Sequence, residues 1–264
     1  VTPDRSHAVG IALALADAAR PVLMQHFRRG VVVDDKADLS PVTIADRDAE
    51  AAMRDLLRRL APDHGVLGEE HGTERLDADY VWVLDPIDGT KSFITGKPLF
   101  GTLIALCHHG VPVVGVIDMP ALGEQFLGAD DRGARFNGQP IRTRMCAHLA
   151  DAMLYATSPH MFVGTDAKGF ARLTGAVKHP LYGADCYAYA MTAAGWSDLV
   201  VEASLKPYDF CACAAVLSAA GGASCDWQGR PLTLASDGRV IMAGDPRLLA
   251  PSVACLTTDQ GGAA

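Results

Sequence analysis

The spacing of apolar positions along the chain changes several times, and each change predicts an element. Ala8, Ile11, Ala12, Leu15, Ala18, Ala19, Val22 and Leu23 recur at helical spacing, which predicts a helix over residues 8–27. Ala49, Met53, Leu56, Leu57 and Leu60 mark one face of a second helix, stopped by Pro62-Asp63-His64-Gly65. Its start, Thr43-Ile44-Ala45-Asp46, has the form of a capping box with the acid in the first turn. The period then shortens. Val66-Leu67-Gly68 reads as a short strand running into Glu69-Glu70. Tyr80 to Leu84 is a continuous apolar strand, covered on both faces, that runs into Asp85. Phe100–Cys107 and Val111–Met119 are strands joined at His108-His109-Gly110, a hairpin signal. Glu124–Ala129 is another strand, turning at Asp130-Asp131-Arg132-Gly133, and Asn137-Gly138 is a further tight turn. The first half therefore reads as two helices followed by a largely antiparallel sheet.

The polar stretch from Arg142 to His148 divides the pattern, giving lobes at 1–146 and 147–264. Beyond it strands (Met153–Ala156, Leu199–Glu202, Ala223–Trp227, Val240–Ala243) alternate with helices (Asp185–Ala194, Tyr208–Ala220, and one from Pro246). Alternation of this kind predicts a second, α/β lobe. There is no internal repeat, and the tail Asp259–Ala264 is expected to fray.

Composition narrows the class. The 264 residues suffice for one large domain or two lobes, and 49% apolar against 20% charged residues favours a packed core over disorder. With 23 basic and 31 acidic residues the formal charge is −8, which gives no basic footprint for nucleic acid. Seven scattered cysteines without C-x-x-C spacing read as reduced thiols of a cytoplasmic protein. Cys211-x-Cys213 lacks a second cysteine or histidine cluster to complete a zinc site. No apolar run is expected to reach the roughly 18 residues of a membrane span. Asp4, Arg5, His7 and Asp17 break up the N-terminus, so it is not read as a signal peptide.

The densest chemistry is Asp85-Pro86-Ile87-Asp88-Gly89-Thr90-Lys91-Ser92-Phe93. Two acids three residues apart follow a buried strand, proline fixes the first turn, and Gly89 lets the backbone bend. Such a turn can aim two carboxylates and a carbonyl at one hard cation. Amides at Gly89-Thr90, if they open a helix, would face a phosphate oxygen. A lone D-x-x-D-G is most often a solvated turn; the strand context and the other acids reverse those odds. If the strand ending at Leu67 neighbours the one ending at Leu84, Glu69 and Asp85 leave the sheet side by side and repel unless a cation sits between them. Asp209 and Asp46 each fall in the first turn of a helix, where a helix-dipole role is the plain alternative.

These residues resemble the inositol monophosphatase family, magnesium-dependent and lithium-sensitive phosphatases grouped with fructose-1,6-bisphosphatase. The Asp85–Phe93 run is similar to its metal-binding signature. Gly68-Glu69-Glu70, Thr43-Ile44-Ala45-Asp46 and Gly133-Ala134-Arg135-Phe136-Asn137-Gly138 match its segments, and Pro207-Tyr208-Asp209 with Gly221-Gly222 looks like its second signature, with tyrosine where tryptophan is usual. The resemblance implies an α+β fold layered α-β-α-β-α, a homodimer and a site between the lobes. It also implies two or three Mg²⁺ ions (Mn²⁺ as the alternative). Glu69, Asp85 and the Ile87 carbonyl would hold the first, and Asp85, Asp88 and Asp209 the second. Glu69 with water would hold a weaker third. Thr90 and Asp46 would orient the attacking water, and the Gly89 and Thr90 amides would hold the phosphate. Most of these ligands fall in the first lobe; the last metal ligand and the specificity residues fall in the second.

Substrate choice follows from the residues beside the alcohol. The run Lys91–Leu106 and Tyr182-Gly183-Ala184-Asp185-Cys186-Tyr187-Ala188-Tyr189 resemble the histidinol-phosphate phosphatase branch. Asp185 is read either as a helix N-cap alone or as an N-cap that also touches ligand. Glu202 matches the family's substrate-contacting glutamate. Two acids beside the alcohol suit the ammonium group of L-histidinol phosphate. The expectation is a phosphate monoester hydrolase of histidine biosynthesis with no membrane or nucleic-acid partner. The alternatives are hydrolysis of inositol 1-phosphate or another sugar phosphate, and a non-enzymatic role with transcription or ribosome components.

Overall fold

The computed structural model describes residues 5–30, 33–35, 41–130 and 132–257. The tail expected to fray, and Asp131 of the Asp130–Gly133 turn, lie outside them. In chain order the first half runs α1 (Arg5–His26), β1 (Val33–Asp35), β2 (Pro41–Thr43), α2 (Ile44–Leu60), β3 (Gly65–Gly68), β4 (Gly72–Glu74), β5 (Tyr80–Asp88) and α3 (Thr90–Ile94). It continues with β6 (Gly101–His108), β7 (Val111–Met119), β8 (Glu124–Ala129), β9 (Gly133–Phe136) and β10 (Gln139–Ile141). The second half is β11 (Met153–Ala156), α4 (Thr165–Ala176), β12 (His179–Tyr182), α5 (Tyr187–Ala193), β13 (Leu199–Glu202), α6 (Pro207–Ala219), β14 (Ala223–Cys225), β15 (Val240–Ala243) and α7 (Leu249–Thr257).

Eight strands form one sheet in the order β10-β9-β8-β7-β6-β5-β3-β4, antiparallel except where β3 lies parallel to β5. Five form the other, β12-β11-β13-β15-β14, parallel at β12-β11-β13 and antiparallel beyond. Three apolar clusters bind the layers. Leu15, Ala19, Leu23, Met53 and Leu57 of α1 and α2 pack on Trp82, Leu84, Ile104 and Val114. The opposite face of that sheet (Val83, Leu103, Ile117, Phe126) meets Ala190 of α5 and Phe210, Val216 and Leu217 of α6, which also cover Val200 and Met242 of the second sheet. Phe170, Leu173, Leu248 and Leu256 close the outer face of the second sheet. The order of layers is α-β-α-β-α.

Both faces of β5 are covered, which explains its unbroken apolar run. Alanine and cysteine fill α6 because it lies close to the sheet: a Cβ on Gly115 would come within 2.3 Å of the Ala212 carbonyl oxygen. The His7–His26 stretch reaches a mean hydropathy of 1.3 over the length of a membrane span. Its apolar stripe is nevertheless committed to the core, while Arg20 donates twice to the buried Asp118 of β7.

Where the sequence predicts a strand ending at Leu84, β5 runs on to Asp88 with its register broken between Asp85 and Asp88. The helix expected from Asp185 begins at Tyr187. Asp185 lies in the left-handed region at φ +49° and Cys186 takes the N-cap position, so the N-cap reading of Asp185 is corrected. The short β1–β2 pair, β4, α4 and β12 are not predicted by the pattern, whereas α3 and the Asn137-Gly138 turn between β9 and β10 are. Each unpredicted element is short or lacks a clean apolar period, and tertiary pairing supplies what periodicity does not.

Candidate active site

The parallel pair β3–β5 sets the first contact. Gly68 is opposite Leu84, and the Glu69 amide donates to the Leu84 carbonyl at 3.1 Å. Glu69, just past the end of β3, thus comes beside Asp85 within β5, close enough for their side chains to interact. The break in register after Asp85 releases Pro86 and Ile87 from the ladder. Thr102 Oγ1 donates to the Pro86 carbonyl at 2.9 Å, and Thr90 Oγ1 donates to the Ile87 carbonyl at 3.1 Å. Gly89, at φ +82°, turns the chain into α3. A Cβ there would stand 3.1 Å from the Asp185 side chain.

Three further elements converge on this turn. At the head of α2, Thr43 donates its amide (2.8 Å) and hydroxyl (2.6 Å) to Asp46 Oδ2, completing the predicted capping box. At the head of α6, the Lys206 amide donates to Asp209 Oδ2 at 2.6 Å. Before α5, the Cys186 amide donates to Asp88 Oδ2 at 2.6 Å. Oxygens of Asp85, Asp88 and Asp209 lie within 4.8 Å of one another.

Electrostatics follow from that crowding. Burial, then the charges of Glu69, Asp88 and Asp209, push the Asp85 carboxyl well above the usual range. Asp88 is driven the same way by burial and by Asp185 and Asp209. Asp209 is raised to about 7, chiefly by burial, with Glu69 and Glu202 adding to it and the Lys206 amide opposing. Asp46 is raised by burial against its bonds to Thr43. One oxygen each of Asp46 and Asp85, Oδ1 in both, is buried without a hydrogen-bond partner. Three carboxylates whose oxygens approach within 4.8 Å, one of them with a buried oxygen that has no hydrogen-bond partner, are the donor set a hard divalent cation takes, so the residues fit such an ion.

The inositol monophosphatase family model matches residues 4–260. The chain belongs to the inositol monophosphatase family. It is 50% identical over 251 residues to the bifunctional phosphatase IMPL2, chloroplastic, of Arabidopsis thaliana, covering 92% of this chain and 72% of that protein. A histidinol-phosphatase of Chlorobaculum parvum is 34% identical, covering 91% of this chain and 92% of its own length. Among solved structures, an inositol monophosphatase from Zymomonas mobilis superposes with a TM-score of 0.89 at 43% identity, covering 97% of this chain and 99% of that one. As a member of this family the chain is a phosphatase with the family's layered fold.

Asp185 and Glu202 occupy different settings in this inositol monophosphatase fold. Asp185 is partly exposed beside Asp88 and accepts a 2.6 Å hydrogen bond from Ser92 Oγ of α3. Lys97 bonds the Gly183 carbonyl and ties the same two loops. Glu202 is 3% exposed, and both its oxygens are engaged: Oε1 by the Thr157 amide at 2.6 Å, Oε2 by Tyr189 Oη at 2.7 Å. Burial raises its carboxyl. Ser92, Thr157 and Tyr189 had no sequence signal for these roles, because their partners lie 93, 45 and 13 residues away. A cleft of about 530 Å³ lined by Arg132, Arg135, Arg142 and Ala219–Gly221 lies at the opposite end of α6 from Asp209.

Proposed function

We propose that this chain is a Mg²⁺-dependent phosphate monoester hydrolase whose substrate is L-histidinol phosphate. The observation that carries the reading is the setting of Asp185, an acid clamped by Ser92 immediately beside Asp88. Among the described residues its other oxygen accepts no hydrogen bond, which leaves it for a cationic group. A substrate with an ammonium next to its phosphate-bearing carbon meets that requirement. An inositol ring offers that oxygen only neutral hydroxyl donors, which make the weaker bond.

In this reading Glu69, Asp85 and the Ile87 carbonyl hold one ion, Asp85, Asp88 and Asp209 a second, and Glu69 with water a third. When bound, the ions neutralise the phosphate, acidify a water and stabilise the leaving alkoxide. The rest is done by the protein. Asp46 Oδ1, unpartnered at the head of α2, accepts a proton of the attacking water. Thr90 has its hydroxyl proton on the Ile87 carbonyl, so its oxygen accepts the other. The Gly89 and Thr90 amides hold a phosphate oxygen at the start of α3. Asp185 and the Tyr189-braced Glu202 set the position of the alcohol. The reading extends to a homodimer in a reducing cytoplasm, consistent with seven free thiols.

The deciding measurement is kcat/KM with Mg²⁺ for histidinol phosphate and for inositol 1-phosphate. A large preference for the first is expected, and chelation should remove both activities. Equal rates or a preference for inositol 1-phosphate would sink the substrate assignment. The relatives leave that second substrate as the direct competitor, since a 43% identical structure carries the inositol monophosphatase name.

A further inference from the structure

Glu50 is a fully buried carboxylate that the chemistry above leaves unused. It stands one turn beyond Asp46 on the core-facing side of α2. Its Oε1 accepts from Arg54 Nε at 2.7 Å and from the His71 amide at 3.2 Å, and its Oε2 accepts from the Glu70 amide at 2.7 Å. The Glu69 amide is held by the Leu84 carbonyl. Backbone on both sides of Glu69 is thereby fixed, by β5 on one side and by one carboxylate on the other. Arg54 completes the clamp, bonding the Gly72 carbonyl and, at 2.9 Å, Glu74 on β4.

The fit is close. A Cβ on Gly68 would lie 1.9 Å from Glu50 Oε1, so the strand carrying Glu69 reaches this carboxylate only because residue 68 has no side chain. Burying an ion pair is at best a weak route to stability, whereas it can fix a geometry. We infer that Glu50 is a positioning residue that aims the Glu69 carboxylate at Asp85 and so sets the affinity of the site for its divalent cation. This rests on the metal reading given above.

The test is calorimetric titration of the substrate-free protein with Mg²⁺. Glu50→Gln, which replaces one acceptor oxygen by an NH2 facing backbone N–H groups, should raise the Kd roughly 10-fold or more, the usual cost of losing a residue that orients a ligand. Gly68→Ala should do the same by pushing Glu50 aside, and excess Mg²⁺ should restore turnover in Glu50→Gln. Arg144→Met, which opens the buried pair to Asp198 ahead of β13 in the other sheet, should lower Tm and leave the Kd unchanged. A folded Glu50→Gln with the parent's Kd overturns the inference. Should that variant fail to fold, an unchanged Kd in Gly68→Ala overturns it instead. A parent protein that binds no Mg²⁺ defeats the metal reading and the inference with it.

Discussion

Acids buried near strand ends occur twice in this molecule, in opposite company. Along the five-stranded sheet, Asp198 precedes β13, Asp226 follows β14 and Asp245 lies just beyond β15. Arg144 grips Asp198 with two bonds of 2.7 and 2.6 Å, and the Met153 amide adds a third. Asp226 takes Arg230 and two amides, and Asp245 takes Arg247 and the Cys146 amide. All three carboxyls are held below their usual range, because those donors favour the charged form over the effect of burial. Around the Asp85–Asp88 turn of β5 the acids crowd one another, and burial with that crowding pushes Asp85, Asp88 and Asp209 up despite an amide on each of the last two. The same residue type serves anchoring where an arginine meets it. Where acids crowd one another instead, they form a group that could hold a cation from solution.

The largest expected effect tests that contrast directly. Asp88→Asn and Asp209→Asn should each lower kcat by roughly 10³-fold, the upper end for losing a preorganised electrostatic group. The metal-free variants should melt no lower than the parent, since each relieves repulsion. Full activity in either would remove the metal assignment. Asp198→Asn should reverse the pattern. It should cost about 2 kcal/mol in chemical denaturation by loosening charged hydrogen bonds, with kcat unchanged.

A smaller effect should separate the two acids beside the alcohol. Asp185→Asn should weaken kcat/KM for histidinol phosphate about tenfold, as for one charged hydrogen bond, and leave inositol 1-phosphate within twofold of the parent. Tyr189→Phe, which frees Glu202 Oε2, should raise KM with little change in kcat. Identical losses on both substrates in Asp185→Asn would show that it does not select for the ammonium.

The mildest effect is on stability against pH. Folded Asp209 titrates at about 7 against 3.8 for an ordinary aspartate, so the folded state holds the extra proton between those values. Its contribution is fully present below pH 4 and is lost as pH rises through 7. The three arginine-held aspartates run the other way, contributing above the ordinary carboxylate range and losing that contribution on acidification through their lowered values. The Tm of metal-free protein should therefore decline from pH 5 to pH 8, and Mg²⁺ should flatten that slope. Asp209→Asn should reduce it as well.

Much of this was legible beforehand, for local reasons. The Thr43–Asp46 capping box, the doubly buried β5 and the β6–β7 hairpin rest on contacts within a few residues, so short-range patterning exposes them. Glu69 beside Asp85 needed one supposition, that β3 neighbours β5, and the parallel pairing supplies it. Asp185 was misplaced because an acid ahead of a helix looks like an N-cap. Its left-handed backbone and its bond to Ser92 depend on a loop 93 residues away. Glu50 did carry a signal, a charge on the apolar face of α2 with arginine four residues on. Such a pair is usually a solvated one, so the pattern alone does not mark it.

The sequence by itself determined the two helices and antiparallel strands of the first half, the α/β alternation of the second and the motifs that carry the family resemblance, since apolar period, capping and spacing are properties of neighbours in the chain; the layered fold came only through that resemblance. Tertiary structure alone decided which of the 31 acids are neutralised by arginine and which are left to one another. Charge state depends on what lies within a few ångströms in space, and in this molecule those partners come from elements far apart along the chain.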